Sequence, residues 1–351
     1  MTFIAKPGVR HPSLPTNELG LTTRDYEGVM STLCAGCGHD SVTAAVIEAF
    51  FELGIAPHRV AKLSGIGCSS KTPAYFLNQA HGLNAVHGRM PSIATGANAA
   101  NRDLIYIGIS GDGDSLSIGL GQLCHAIRRN INMLYIIENN GVYGLTKGQF
   151  SASADVGSLS KRGDPNPLAP MDPVALALGM GGTFVARSFS GDKPQLVPIL
   201  KAGLAHPGFA LVDVISPCVT FNDHEGSTKS YLFTRQHYHE AVSADFVPVE
   251  KEIKAEYAEG RTIDVAVHGG GVIRFRKIPE DYDPTDRDAV TAYLGERHKQ
   301  GEIVTGLLFV EPGSSDYHGL KKTVTMPLVD LPYEELCPGK KKLTELMNEF
   351  R

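Results

Sequence analysis

The chain of 351 residues reads as an α/β protein, a parallel sheet with helices on both faces. Three observations predict this. Short apolar runs alternate with segments of helical period between residues 40 and 215. One strand–helix–strand unit, 104–140, has the spacing of a parallel, right-handed crossover. Gly111-Asp-Gly-Asp114 and Asn139-Asn140 each stand where an apolar run of that unit stops, the end at which open α/β sheets bind ligands.

The elements follow in order. Residues 1–30, rich in Pro and Thr, read as an extended arm. Val42, Ala45, Val46, Ala49, Phe50 and Leu53 recur at helical spacing, with Asp40 or Ser41 as the cap. Arg59–Ser64 is a strand running into the loop Gly65–Ser70. Leu104–Ile109 is a strand apolar on both faces, Ser115–Arg129 a helix ending in two cations, and Met133–Ile137 a second such strand. Pro173–Gly179 and Lys193–Ala205 read as helices, Thr183–Arg187 and Phe209–Ile215 as strands. From about 245 the texture changes: Glu250–Glu259 reads as a charged helix, His268–Gly271 as a turn, and 286–300 is polar. The expected organisation is an arm (1–30), an α/β domain (31–240) and a C-terminal extension (241–351) that packs on a partner.

Composition narrows the function. The formal charge of −5 gives no basic footprint for nucleic acid. No apolar run approaches the roughly 20 residues that span a bilayer, and the N-terminus has no apolar signal core, so a cytoplasmic protein without membrane contact is expected.

Glycines at 111 and 113 let a phosphate approach the backbone, but Asp112 between them repels one. A divalent cation resolves the conflict, because Mg²⁺ commonly joins protein carboxylates to phosphates. Asn140, at the end of the next strand, offers a neutral oxygen to the same ion. The six cysteines, in a long chain with no export signal, are not expected to form a disulfide framework. Cys34-Ala-Gly-Cys37 is open to three readings: a zinc half-site, a redox pair or chance. Cys68 and Cys218 stand singly in loops, Cys124 in an apolar helix pattern, and Cys337 in the tail.

Gly-Asp-Gly, 25 residues, then Asn-Asn resembles the signature of the thiamine diphosphate enzymes. That resemblance implies Mg²⁺ held by Asp112, Asn140 and the carbonyl of Val142. A narrower likeness covers residues 30–235: Cys34-Ala-Gly-Cys-Gly-His39, Gly65-Ile-Gly-Cys-Ser69, His87-Gly-Arg89, Gly111-Asp-Gly-Asp114, His125–Asn130 and Asn139–Gln149. Together these resemble the β subunit of the 2-oxoacid:ferredoxin oxidoreductases. The resemblance implies a thiamine-binding α/β fold and a [4Fe–4S] cluster on Cys34, Cys37, Cys68 and Cys218. It implies thiamine diphosphate contacts from Gly65, Ile66, Gly67, Cys68, Ser69, His87, Gly88 and Arg89. Further contacts come from Gly111, Asp112, Gly113, Asp114, Asn140, Val142, Tyr143, Gly144, Leu145 and Thr146. His87 and Arg89 are the candidate catalytic residues, and Leu145 and Lys147 the candidate substrate residues.

The implied activity is oxidative decarboxylation of a small 2-oxoacid to an acyl-coenzyme A and CO₂, with electrons passed to ferredoxin. A cation at Lys147 favours 2-oxoglutarate; pyruvate or a branched or aryl 2-oxoacid is the alternative. Only one thiamine-type domain is visible, so an α subunit must supply the pyrimidine-binding domain, with two chains of each expected. A non-redox thiamine decarboxylase or synthase and a non-catalytic metal-binding assembly module are the other readings.

Overall fold

The computed structural model describes residues 11–160, 162–222, 224–225, 228–229, 253–266, 272–337 and 339–351. Residues 1–10 of the arm, the expected boundary at 240 and the expected turn at 268–271 lie outside these. In chain order the elements begin α1 (Gly38–Glu52), β1 (Val60–Ser64), β2 (His81–Asn84), α2 (Met90–Ala100) and β3 (Ile105–Gly111). They continue with α3 (Leu120–Arg129), β4 (Met133–Asn139), the short pair β5 (Val142–Tyr143) and β6 (Gln149–Phe150), α4 (Pro173–Gly179) and β7 (Phe184–Phe189). Next come α5 (Lys193–Ala205), β8 (Phe209–Ile215) and a second short pair, β9 (His224–Glu225) and β10 (Thr228–Lys229). The last are β11 (Thr262–Ala266), β12 (Val272–Lys277), α6 (Arg287–Lys299), β13 (Ile303–Val310), α7 (Tyr317–Lys321), α8 (Tyr333–Leu336) and α9 (Gly339–Glu349).

Nine strands form one sheet in the order β11-β12-β13-β7-β8-β4-β3-β1-β2. From β7 to β2 every neighbouring pair is parallel. β4 lies in the middle and all seven of its residues are buried, which is why it reads as an unbroken apolar run up to Glu138. One face is covered by α2, α3, α4 and α6 through Met90, Leu123, Ile127, Val174 and Val290. The other is covered by α1 and α5 through Val42, Phe50, Leu196 and Leu200. The expected fold class is therefore the observed one, with an antiparallel addition.

That addition comes from the C-terminal region. β13 pairs antiparallel with β7, and β12 and β11 follow it outward, so 262–310 widen the sheet. Phe275 of β12 stacks on Phe189 of β7, with ring centroids 4.7 Å apart. The charged helix expected at Glu250–Glu259 is absent over the described residues 253–258. Its carboxylates and lysines mimic a helical surface, but Ala255 is buried and its N–H donates to the Gly191 carbonyl, 3.0 Å away. α1 starts two residues before the expected cap, with Cys37 at the N-cap. The helix read at Ser115–Arg129 is preceded by a π-turn over Gly113–Ile118, so its first turn is wider than a regular helix. The arm is less extended than expected, since Tyr26 is fully buried against α1.

Candidate cofactor site

Parallel strands all end on one edge, and four adjacent ones deliver the site. Register places Ser64 opposite Ile109, Gly111 opposite Glu138, and Asn139 opposite Ile215. The loops leaving β1, β3, β4 and β8 carry Gly65–Ser69, Asp112–Asp114, Asn140–Val142 and Ser216–Cys218 in that order across the edge.

Asp112 is buried, and its Oδ2 accepts hydrogen bonds from the hydroxyls of Ser151 and Ser153 and from the Gly141 N–H at 3.1 Å. Burial pushes its pKa up; the two serines and the Asn140 N–H pull the other way. No Lys, Arg or His pairs with Asp112 among the described residues. A desolvated carboxylate without a counter-charge is costly, so the chemistry of the pocket suits a bound cation. Asn140 Oδ1 accepts the Val142 N–H at 3.0 Å, which fixes amide, loop and carboxylate as one unit. Ser153 also donates to Asn139 Oδ1, whose amide nitrogen donates to the buried Asp213. Of the donors expected for Mg²⁺, Asp112 and Asn140 share one loop junction, where the Asn140 and Gly141 N–H groups reach the carboxylate. Gly113 is required here, because a Cβ would sit 2.6 Å from the Tyr143 ring.

Beside this pocket, Asp114 is buried and accepts from His87 Nδ1, the Gly88 N–H (2.7 Å) and the Ser110 hydroxyl. The His87 side chain is 32% exposed, and its ring meets the edge of Tyr143 with centroids 6.1 Å apart. Tyr143 in turn donates to the Gly113 carbonyl at 2.9 Å. Arg89 lies at the N-cap of α2 and is exposed. Leu145 and Lys147 are exposed in the β5–β6 loop, and Lys147 has a positive φ of 77°. Neither is drawn into the Asp112 pocket.

The four cysteines chosen from the sequence arrive at the adjacent corner. Cys37 N–H donates to the Cys34 carbonyl at 2.9 Å, closing the turn that starts α1. That turn is pressed onto the end of β8: a Cβ on Gly38 would meet Ser216 Oγ at 2.6 Å. Sulfurs of Cys68 and Cys218 flank Gly144, at 3.4 and 3.6 Å from where a Cβ would stand. Burial pushes the Cys68 thiol up to about 11 and Cys37 well above its usual value, and the neighbouring Cys218 raises both further. Thr220 donates to Cys34 Sγ at 3.2 Å. Among the described residues no three His, Cys, Asp or Glu side chains converge as the shell of a single ion. Cys124 is partly buried in α3 and Cys337 is exposed, both apart from this corner.

Several residues of the site carry no sequence signal of their own. Ser151 and Ser153 reach Asp112 only because the chain turns back after β6. Behind the thiols, His39 Nδ1 lies 2.6 Å from Ser216 Oγ and 3.7 Å from Glu138, which also accepts from Thr72. Burial drives His39 down to about 4 and Glu138 well above the usual carboxylate range, each shift favouring the neutral form. The one available hint is a glutamate at the end of an otherwise apolar strand, where a buried charge demands partners.

Fold and site define a class: residues 65–214 match the thiamine pyrophosphate enzyme family, C-terminal TPP binding domain. The 2-oxoacid:ferredoxin oxidoreductase subunit beta of Sulfolobus sp. is 41% identical over 285 residues, 78% of this chain and 92% of that protein. The subunit of the same name from Saccharolobus solfataricus is 43% identical over 203 residues, 58% of this chain and 66% of its own length. The 2-oxoglutarate oxidoreductase subunit KorB of Mycobacterium tuberculosis is 41% identical over 61% of this chain and 57% of its own. A solved 2-oxoglutarate:ferredoxin oxidoreductase from Magnetococcus marinus, with 2-oxoglutarate, coenzyme A and succinyl-CoA bound, superposes with a TM-score of 0.70. It is 30% identical, over 93% of this chain and 96% of that one. The chain belongs to the β subunits of the 2-oxoacid:ferredoxin oxidoreductases. Among the described residues no helix is long and apolar enough to cross a membrane.

Proposed function

We propose that this β subunit, joined to an α subunit, oxidatively decarboxylates 2-oxoglutarate to an acyl-coenzyme A and passes the electrons to ferredoxin. The observation that carries the reading is the shared sheet edge: the Asp112–Asn140 pocket lies between the strand ends that carry Cys68 and Cys218, and the Cys34–Cys37 turn is pressed onto the last of them. Asp112, Asn140 and the Val142 carbonyl hold Mg²⁺ on the diphosphate of thiamine, and Gly65–Ser69, His87–Arg89, Gly111–Gly113 and Tyr143–Thr146 surround the cofactor. Thiamine diphosphate supplies the electron sink for decarboxylation. Cys34, Cys37, Cys68 and Cys218 hold a [4Fe–4S] cluster. A multi-iron cluster spaces its thiolates further apart than one ion does, and its iron charge offsets the burial, and the lesser repulsion from Cys218, that raise Cys37 and Cys68.

For the chain's own residues, His87 presents a ring edge to the substrate side, Arg89 adds positive charge, and Lys147 pairs with the distal carboxylate of 2-oxoglutarate. Residues 1–30 act as an arm and 31–240 as the catalytic unit. The end of the 241–351 extension packs on the partner, since Leu343, Leu346, Met347 and Phe350 of its last turns are each half or more exposed. The test is anaerobic coexpression with an α subunit, then an assay of coenzyme A-dependent ferredoxin or viologen reduction with several 2-oxoacids. The reading requires 2-oxoglutarate to give the fastest rate; reduction independent of 2-oxoacid and thiamine diphosphate would refute it.

A further inference from the structure

Both oxygens of Asp114 are committed within the chain and, unlike Asp112, it is paired with a histidine. Oδ1 accepts from His87 Nδ1 and from the Gly88 N–H, and Oδ2 from Ser110. The loops around it leave it no other position. A Cβ on Gly65 would run into Oδ2, and Gly88, at φ +71°, is pressed on Gly119, 2.8 Å from where its own Cβ would lie. The π-turn over Gly113–Ile118 offsets Asp114 from a regular helical track and points it at His87 instead of the diphosphate side. A carboxylate only accepts, so Nδ1 carries a proton, and in the neutral ring Nε2 is then the lone pair. Among the described residues Nε2 takes no hydrogen bond.

We propose that Asp114 is a positioning residue, not a cofactor ligand: it locks His87 in one tautomer and orientation so that Nε2 alone faces the reacting 2-oxoacid. This rests on the function proposed above and deepens it. His87 touches substrate; Asp114 acts through His87. Ser110 and Gly88 hold Asp114 in turn, so the arrangement is anchored in β3 and in the loop before α2. No bond to the acid is made or broken by Asp114.

The experiment is a double-mutant cycle in the assembled α–β enzyme with three readouts. His87→Ala lowers kcat about 10²-fold or more, the range for a lost acid–base group. Asp114→Ala lowers kcat similarly, but costs less than about threefold when His87 is already Ala. Asp114→Asn restores most of the activity lost in Asp114→Ala, because an amide oxygen still accepts from Nδ1 and from Gly88. Calorimetric affinity for thiamine diphosphate stays within about threefold in Asp114→Ala, since no bond to the cofactor is lost. Histidine-selective ¹⁵N NMR of the complex, with His87 identified by its disappearance in His87→Gln, shows Nδ1 protonated. Overturning results are a cost of Asp114→Ala that survives in His87→Ala, a matching loss of cofactor affinity, or a protonated Nε2 with bare Nδ1. If Asp114→Ala does not assemble, the Asn variant and the NMR signal decide. If the wild-type complex lacks 2-oxoacid activity, the function fails while the NMR signal still judges the pair.

Discussion

The two corners of the sheet edge answer their buried groups in opposite ways. At Asp112 the carboxylate is met by two serine hydroxyls and a backbone N–H drawn from loops far along the chain. At the cysteines burial raises the cost of ionising Cys37 and Cys68, and the neighbouring Cys218 adds to both. The carboxylate corner is therefore organised by hydrogen-bond donors of the chain itself. The thiol corner is assembled in shape, while burial opposes the charge its thiols would carry as ligands. Oxygen acceptors are strong enough for hydroxyls and amides to stabilise them; sulfur is a weak acceptor.

Substitutions can separate these two modes. The largest effect is expected at the thiols: Cys68→Ala or Cys218→Ala reduces iron content and acceptor reduction to background, while thiamine diphosphate binding persists. Retained acceptor reduction in either variant would break the contrast. Asp112→Asn comes next and acts on the other corner. It should weaken Mg²⁺-dependent cofactor binding by about 10²-fold or more, the upper range for disturbed metal shells, and leave the iron spectrum intact. Gly65→Ala is expected to cost about 1–3 kcal/mol of stability by displacing the Asp114 carboxylate, read as a lower melting temperature with iron retained.

Smaller effects sharpen the comparison at its margins. Lys147 holds a left-handed backbone conformation that suits glycine better. Lys147→Gly should add up to about 1 kcal/mol of stability. It should also narrow the preference for 2-oxoglutarate over pyruvate; an unchanged rate ratio would remove Lys147 from substrate recognition. A pH-dependent effect lies inside the sheet. Lys62 on β1 donates to the Phe76 carbonyl and sits over the Phe76 ring, and burial lowers its pKa from 10.5 to about 8. Between those values the unfolded chain binds the extra proton, so stability rises with pH through that window, by up to roughly 3 kcal/mol. Below pH 8 both states are protonated and the full burial cost is present. The melting temperature of wild type should therefore gain on Lys62→Met between pH 8 and 10, with neither corner disturbed.

Legibility in the sequence followed burial. α5 and β8 were readable to the residue because an amphipathic stripe or an apolar run ends where the element ends. β2 was not, since His81–Asn84 is polar and exposed, and its strand character comes wholly from pairing with β1. α2 escaped notice because Ala94, Gly96, Ala97 and Ala100 give almost no periodic contrast. β11–β13 depend on pairing with a strand more than a hundred residues earlier, which local pattern cannot carry. In the site, Asp112, Asn140, Cys68 and Cys218 are legible because each follows an apolar strand, and Cys34 and Cys37 because they form a C-x-x-C pair. Ser151, Ser153, Ser110 and the Asp114–His87 contact are not, because they depend on how loops fold over one another.

The order in which the thiols emerge has a consequence for biogenesis. Cys34, Cys37 and Cys68 precede most of the sheet, while Cys218 follows β8, the strand inserted between β4 and β7. The fourth thiol leaves the ribosome well after the third, by about 10–30 s at ordinary elongation rates. Throughout that interval the nascent chain exposes three thiols with no closed cage around them. On the proposed cluster assignment, iron delivery waits for translation of the sheet, and oxygen or stray metal reaching the unfinished chain strikes at that stage rather than after assembly.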